Sequence, residues 1–323
     1  MLARTLRFVQ LLELLLALAA GWWLHVGWQW PVAGAMLAGL AAPLMLHAAI
    51  IALDFAQAAW VGGPAPKPLR LGISSWLRTY LTELLDSIWL FQWSQAWRPG
   101  RALPGQTLAW PLDHRLTPQL ACAKHPVPAR PDAPVPVVLV HGYFCNRQVW
   151  GPLARWLSMR GHPLIGVDLE PLFCPIDDYL PLLDDAVRAL QAATGAPGVA
   201  LVCHSMGGLV ARAYLRRHPR AAVRCVVTLG TPHRGTVHAR LGTGANVRQM
   251  RPDSTWLREL AATETKETNA RYTVIFSHHD NIVAPHQSQQ LPGARNIGLG
   301  GLGHLSLALN ERTWRVVADA LDR

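Results

Sequence analysis

Charge is scarce in this chain: 15% of its 323 residues are Asp, Glu, Lys or Arg, while half are hydrophobic. So small a charged share is unusual for a wholly water-soluble protein. The formal net charge is +10, but no dense Lys/Arg run with interleaved aromatics occurs, which excludes the usual nucleic-acid-binding pattern. Scattered basic residues beside hydrophobic segments suit anionic lipid head groups instead. The five cysteines (Cys122, Cys145, Cys174, Cys203, Cys225) are odd in number and include no Cys-x-x-Cys pair. That argues against a disulfide framework and against a zinc site, and favours a reducing compartment. There is no internal repeat and no low-complexity array. No metal or cofactor is expected.

What the chain does have, at its start, is two long apolar runs. Leu6 to Leu24 is interrupted only by Arg7, Gln10 and Glu13, and Val32 to Leu53 only by His47. Each is near the ~20 residues that cross a bilayer as a helix. A second run follows the first and no small-x-small cleavage site separates them, which argues against a cleaved signal peptide. Trp22, Trp23, Trp28, Trp30 and Trp60 fall where interfacial aromatics belong. The expectation is a transmembrane helical hairpin over residues 1–62. The alternative is a buried pair of soluble helices, favoured by Glu13, because a carboxylate in lipid needs a partner. Arg4 and Arg7 precede the first run, Lys67, Arg70 and Arg78 follow the second, and no charge lies between. The positive-inside rule then places both ends, and the domain beyond, in the cytoplasm, with a bacterial inner membrane as the expected location.

Residues 63–135 read as a linker carrying one amphipathic helix. Gly62 to Pro68 is rich in Gly and Pro. Ile73, Trp76, Leu77, Tyr80, Leu81, Leu84, Leu85 and Ile88 then recur at helical spacing, with Arg78, Thr79, Thr82, Glu83 and Asp86 opposite. The apolar face suits either a membrane interface or packing on the following domain. Residues 98–136 offer strand-like fragments at most.

From residue 136 to the end, strands alternate with helices, the pattern of a mostly parallel, doubly wound sheet. The expected strands are Val137–Val140, Leu164–Val167, Val199–Cys203, Val223–Leu229 and Tyr272–Phe276. The expected helices run over Gln148–Arg160, Tyr179–Ala193, Leu209–Arg217 and Asn310–Leu321. A longer excursion at 236–270, with a helix near Trp256–Thr263, has the place of a cap or lid.

The chemistry centres on Val199-Ala-Leu-Val-Cys-His-Ser-Met-Gly-Gly208. An apolar strand, one hydroxyl and a following helix make the geometry of a nucleophile elbow, with Ser205 at its tip. Gly207 keeps the turn uncrowded, and Cys203 stands where a first Gly is more usual. A Ser hydroxyl also needs a base, an orienting acid and donors for an oxyanion. The amides of Tyr143, after the first strand, and of Met206, at the start of the elbow helix, suit the oxyanion. Asp280 follows the last expected strand and is the candidate acid; Asp168 precedes the Ser, against the Ser, Asp, His order of this class. Among 14 His residues, His304 lies in a Gly-rich loop after the acid and is the candidate base. His141 and His233 read as loop structure, and His278 and His279 as too close to Asp280 to bridge it to the Ser. Cys203 is the alternative nucleophile, though an elbow-strand thiol points into the core.

Taken together, Val140-His-Gly-Tyr143, Cys203-His-Ser-Met-Gly-Gly208, Leu229-Gly-Thr-Pro-His-Arg-Gly235, His279-Asp-Asn-Ile-Val283 and Gly303-His-Leu305 resemble the α/β-hydrolase superfamily, and within it bacterial triacylglycerol lipases. The resemblance covers residues 136–323 and implies an α/β-hydrolase fold behind the two transmembrane helices. It implies a Ser205, Asp280, His304 triad and oxyanion donors at Tyr143 and Met206. The hairpin has no counterpart in small secreted lipases. The leading expectation is a membrane-anchored carboxylic ester hydrolase acting on acyl-ester or lipid substrates, in contact with membrane lipids and not nucleic acid. Val247, Met250, Trp256, Leu257 and Leu260 in the cap are candidates to face the acyl chain; the alternative is that they form the cap's own packing. The same triad would serve thioester hydrolysis or acyl transfer, and an inactive membrane scaffold is the competing class. The sequence leaves the oligomeric state open.

Overall fold

The computed structural model describes residues 1–108 and 133–323; Cys122 and most of the 98–136 stretch lie outside the described residues. Six parallel strands form one sheet in the order β2-β1-β3-β4-β5-β6. They are β1 (Val137–Val140), β2 (Leu164–Val167), β3 (Val199–His204), β4 (Val223–Leu229), β5 (Tyr272–Ser277) and β6 (Arg295–Leu299). Strands β1, β2 and β3 are buried along their whole length. Such strands are covered by helices on both faces, which is why they read as unbroken apolar runs. The sequence reading stopped at five strands. Its omission, β6, is an edge strand whose Arg295 and Asn296 are exposed, so it carries little of the apolar signal.

The sheet's order reverses between β1 and β3. Chain segments leaving these two neighbours diverge, and the crevice they leave at the strands' C-terminal ends is where open parallel sheets build sites. Both the Tyr143 loop and Ser205 stand there.

The two apolar runs form helices α1 (Leu2–Trp28) and α2 (Val32–Gly62), each long and apolar enough to cross a membrane. They meet along small residues, with Ala17, Gly21, Ala35 and Gly39 buried between them, the packing that lets apolar helices approach closely without a hydrophobic drive. Most of their large side chains face outward, among them Leu12, Leu16, Trp22, Leu37, Leu44 and Leu53. Toward the other end of the hairpin, Leu2 and Leu6 of α1 are buried with Leu172 beyond β2. On α2, Asp54 lies 3.7 Å from His238, beyond β4. Gly62, in turn, abuts the His286 ring beyond β5. The feet of the hairpin therefore rest on the loops at the C-terminal edge of the sheet.

Between the hairpin and the sheet layer lies a bracket. Helix α3 (Ile73–Ser87) runs on through a π-helical turn (Ile88–Ser94) to a last helical turn (Gln95–Trp97). Toward the hairpin, Tyr80 donates to the Ala48 carbonyl at 2.9 Å and Ser87 bonds His47 at 2.9 Å. Arg7, Gln10 and Glu13, three residues apart on α1, all face this bracket. Arg7 donates to the Ala96 carbonyl, Gln10 to the carbonyls of Phe91 and Gln92, and Gln92 donates to Glu13 at 3.5 Å. The carboxylate that favoured a soluble helix pair thus has its partner inside the assembly.

Toward the sheet layer, the bracket buries its polar side. Thr79 and Glu83 are buried, and Gln95 accepts a 2.6 Å bond from the Asn146 amide. The apolar side faces outward: Ile73 is 90% exposed, Leu77 55% and Leu85 65%. Of the two placements the sequence allows for the apolar face, packing on the following domain is not the one seen for Ile73, Leu77 and Leu85. Amphipathic periodicity reports only that a helix has two faces; here the hydrogen-bonding needs of a distant loop claim the polar one.

Candidate active site

Strand β3 ends at His204, and the chain turns at Ser205 with φ 53° and ψ −125°. A positive φ is costly for a residue with a side chain, and such strain persists where the surroundings over-determine it. Here helix α6 (Met206–Arg217) starts at once, with α4 (Gly151–Ser158) and α5 (Leu180–Thr194) preceding it in the chain. A Cβ on Gly207 would lie 2.4 Å from the Val140 carbonyl oxygen, so only glycine allows the helix to start this close to β1. Thr231 donates to the Ser205 carbonyl at 2.9 Å and closes the turn from the β4 side. Ser205 retains 9% exposure.

Asp280 and His304 come together beside β5. His304 Nδ1 and Asp280 Oδ2 are 2.9 Å apart, and Asp280 Oδ1 accepts the amides of Ile282 and Val283 at 2.8 Å each. Asp280 is fully buried. Burial alone would raise its carboxyl, but the charge of His304 and the bonds from His304, Val283 and Ile282 hold it below the usual carboxylate range. Burial likewise works to lower His304, and the Asp280 charge and bond, with Glu83 behind it, bring it above the ordinary imidazole value. Room for this pair comes from Gly230, at φ 58°, where a Cβ would sit 3.1 Å from Asp280 Oδ2 and 3.2 Å from His304 Nδ1. Among the described residues neither Ser205 Oγ nor His304 Nε2 is hydrogen-bonded. Nucleophile–base bonds of this kind are often open without substrate.

The Tyr143 and Met206 amides likewise donate to no other described residue. They flank the elbow from β1 and from the start of α6, as an oxyanion hole requires. His141 bonds the Gly142 carbonyl through Nδ1 at 2.8 Å and accepts the Leu169 amide at Nε2 at 2.9 Å, a loop clasp with one tautomer. His233 is buried against Thr228. His279 accepts the Gly301 amide and packs edge-on to Trp76. Cys203 is fully buried, and burial raises its thiol well above the ordinary range, which leaves it a poor nucleophile.

Three further residues fix His304 and escaped the sequence reading. Asn281 accepts the His304 amide at 2.9 Å, and His204 bonds the His304 carbonyl at 3.0 Å with its ring 4.6 Å from the other. Burial brings His204 down to about 3, so it is neutral. The third is Glu83, taken up below. Of these, only Asn281 has a local signal, its place directly after the candidate acid.

The cap residues are placed otherwise than expected. Val247, Met250 and Leu257 belong to the same buried cluster as Tyr179, Met206 and Leu209, and Trp256 packs against it. Leu260, on α7 (Thr255–Ala262), is fully buried, and the Trp256 indole donates to Asp177. Val247, Met250, Leu257 and Leu260 are buried in this packing rather than lining an open site, while Trp256 is part-buried against it. An apolar surface lies instead beside the Tyr143 loop, where Tyr143, Phe144 and Phe173 approach one another at ring distances of 6.0 to 6.4 Å. Phe91 of the bracket adjoins it. A separate cavity of about 410 Å³ between α2 and the 278–286 loop is lined by Phe55, Trp76, His279 and Asp280, but by neither Ser205 nor His304.

A family model described as the alpha/beta hydrolase fold matches residues 135–277. The mature lipase BlEst2 of Bacillus licheniformis is similar in structure, with a TM-score of 0.52 and 21% identity over 61% of this chain and 96% of that one. Lipase B of Aspergillus fumigatus matches with a TM-score of 0.52 and 19% identity, over 71% of this chain and 61% of that one. The chain has the α/β-hydrolase fold, preceded by two helices apolar enough to span a membrane.

Proposed function

We propose that this protein is a membrane-anchored serine hydrolase that cleaves carboxylic esters of lipids. The observation that carries the reading is the convergence, at one sheet edge, of a strained Ser205, an Asp280–His304 pair at 2.9 Å and two unbonded amides. In the proposed reaction Ser205 Oγ attacks the ester carbonyl and His304 Nε2 takes its proton. The Tyr143 and Met206 amides hold the oxyanion, and His304 then protonates the leaving alkoxide. Water attacks the acyl-enzyme by the same route and releases the acid. Each oxyanion donor contributes about 3 kcal/mol to such a transition state.

The lipid substrate is supported by the hairpin seated over the catalytic edge and by the Tyr143, Phe144 and Phe173 surface beside the elbow. The two similar structures named above are lipases by name. The distribution of basic residues around the hairpin supports a cytoplasmic hydrolase domain on a bacterial inner membrane. The test is a chain-length series of esters on the full-length protein in vesicles, with membranes first washed in carbonate. The protein is expected to stay with the membrane and to turn over medium and long acyl esters at least tenfold faster than acetate. Release by carbonate would remove the anchor from the reading. Equal turnover of acetate, indifferent to vesicles, would make it a small-ester esterase, and preference for an alcohol or thioester partner would make it an acyltransferase or thioesterase.

A further inference from the structure

Glu83 lies in the bracket, before the hydrolase sheet begins, yet its carboxylate ends at the loop of the catalytic base. It is 1% exposed. Oε1 accepts the Leu305 amide at 2.8 Å, and Oε2 accepts the Ser306 amide at 3.0 Å and meets the Ser306 hydroxyl at 2.9 Å. These are the two residues directly after His304. That hydroxyl also lies 2.6 Å from Asp86 Oδ2. A hydroxyl has one hydrogen, so with both contacts made, one of the two carboxyls must hold a proton and donate it to Ser306. Burial pushes Glu83 up to about 7 and also raises Asp86, consistent with one proton shared along the chain Glu83, Ser306, Asp86. Four groups therefore hold the turn that carries the imidazole: Asp280 at the ring, Asn281 at the amide, His204 at the carbonyl and Glu83 just beyond.

We propose that Glu83 is a positioning residue for His304, through which the membrane-side bracket sets the place of the catalytic base. The bracket is then part of the active site rather than a tether. Its polar stripe ends in the base's loop, and its opposite stripe, Ile73, Leu77, Leu81 and Leu85, is exposed beside the hairpin. The inference rests on the serine hydrolase reading.

The experiment compares full-length wild type, Glu83→Gln and Ser306→Ala in the same vesicles, by steady-state ester hydrolysis, fluorophosphonate labelling and thermal unfolding. In Glu83→Gln one acceptor oxygen becomes an NH₂ opposed to a backbone N–H. With the imidazole displaced, kcat should fall about 10- to 100-fold while KM stays within about twofold, since displacements of about 1 Å carry costs of that size. Labelling of the folded fraction should slow in proportion. Ser306→Ala keeps both backbone bonds but removes the hydroxyl's contacts to Glu83 and Asp86, so the melting temperature should fall by a few degrees while kcat falls only about threefold. A Glu83→Gln enzyme with wild-type kcat overturns the proposal. So does a loss that falls on KM, or one that merely follows the unfolded fraction. If wild type itself does not label at Ser205, the serine hydrolase reading fails and takes this inference with it.

Discussion

Ser205→Ala is expected to abolish ester hydrolysis and fluorophosphonate labelling, with kcat falling by about 10⁴-fold or more, as when other triads lose their nucleophile. The fold should persist. The Ser205 hydroxyl bonds no described residue, while the bonds that shape the turn use its backbone: Ser205 N to the Leu229 carbonyl at 2.8 Å, and the Ser205 carbonyl to Thr231. Alanine carries the same Cβ into the same positive φ, so the strain is unchanged and the thermal midpoint should stay close to wild type. The neighbouring thiol cannot substitute, because Cys203 is fully buried two residues earlier in β3. Activity that survives in Ser205→Ala and vanishes in Cys203→Ala would reverse the assignment.

Asp280→Asn should cost about as much, near 10⁴-fold in kcat, the size seen when a triad His is forced into the wrong tautomer. The reason lies in the bonds of this carboxylate. Oδ1 accepts two amides, Ile282 and Val283, so an asparagine must keep its carbonyl oxygen there. Its NH₂ then falls on the Oδ2 position, 2.9 Å from His304 Nδ1, and donates. Nδ1 must then be bare and Nε2 protonated, so the ring cannot accept the Ser205 proton. KM should change little, since the carboxylate is buried behind the imidazole. Kinetic constants for Asp280→Asn decide it: a near-wild-type kcat would mean that Asp280 only caps its own turn.

Much of this architecture was legible before any coordinates, and the exceptions share a cause. Strands β1, β2 and β4 have the bounds expected of them because apolar runs between breakers have one physical solution in a parallel sheet. Asp280 and His304 follow β5 in the expected order, and their side chains lie 2.9 Å apart. Strand β6 was missed because an edge strand with exposed Arg295 and Asn296 has no need of an apolar pattern. The periodicity of α3 allows two placements of its apolar face and in both sends the carboxylates to water. The partners that draw Glu83 inward are backbone amides at 305 and 306, and backbone donors leave no trace in side-chain hydropathy. For the cap, Leu257 and Leu260 are as apolar as expected, but hydropathy cannot say which apolar surface they meet.

The feet of the hairpin rest on loops that follow β2, β4 and β5, at the same edge of the sheet as Ser205 and His304. The membrane-anchored ester hydrolase proposed above would encounter its ester in two dimensions. Its local concentration is set by confinement to a surface rather than by the volume of the medium. Turnover should therefore follow the mole fraction of ester within the lipid. Adding inert phospholipid to the same vesicles should slow it, while diluting the whole suspension should not.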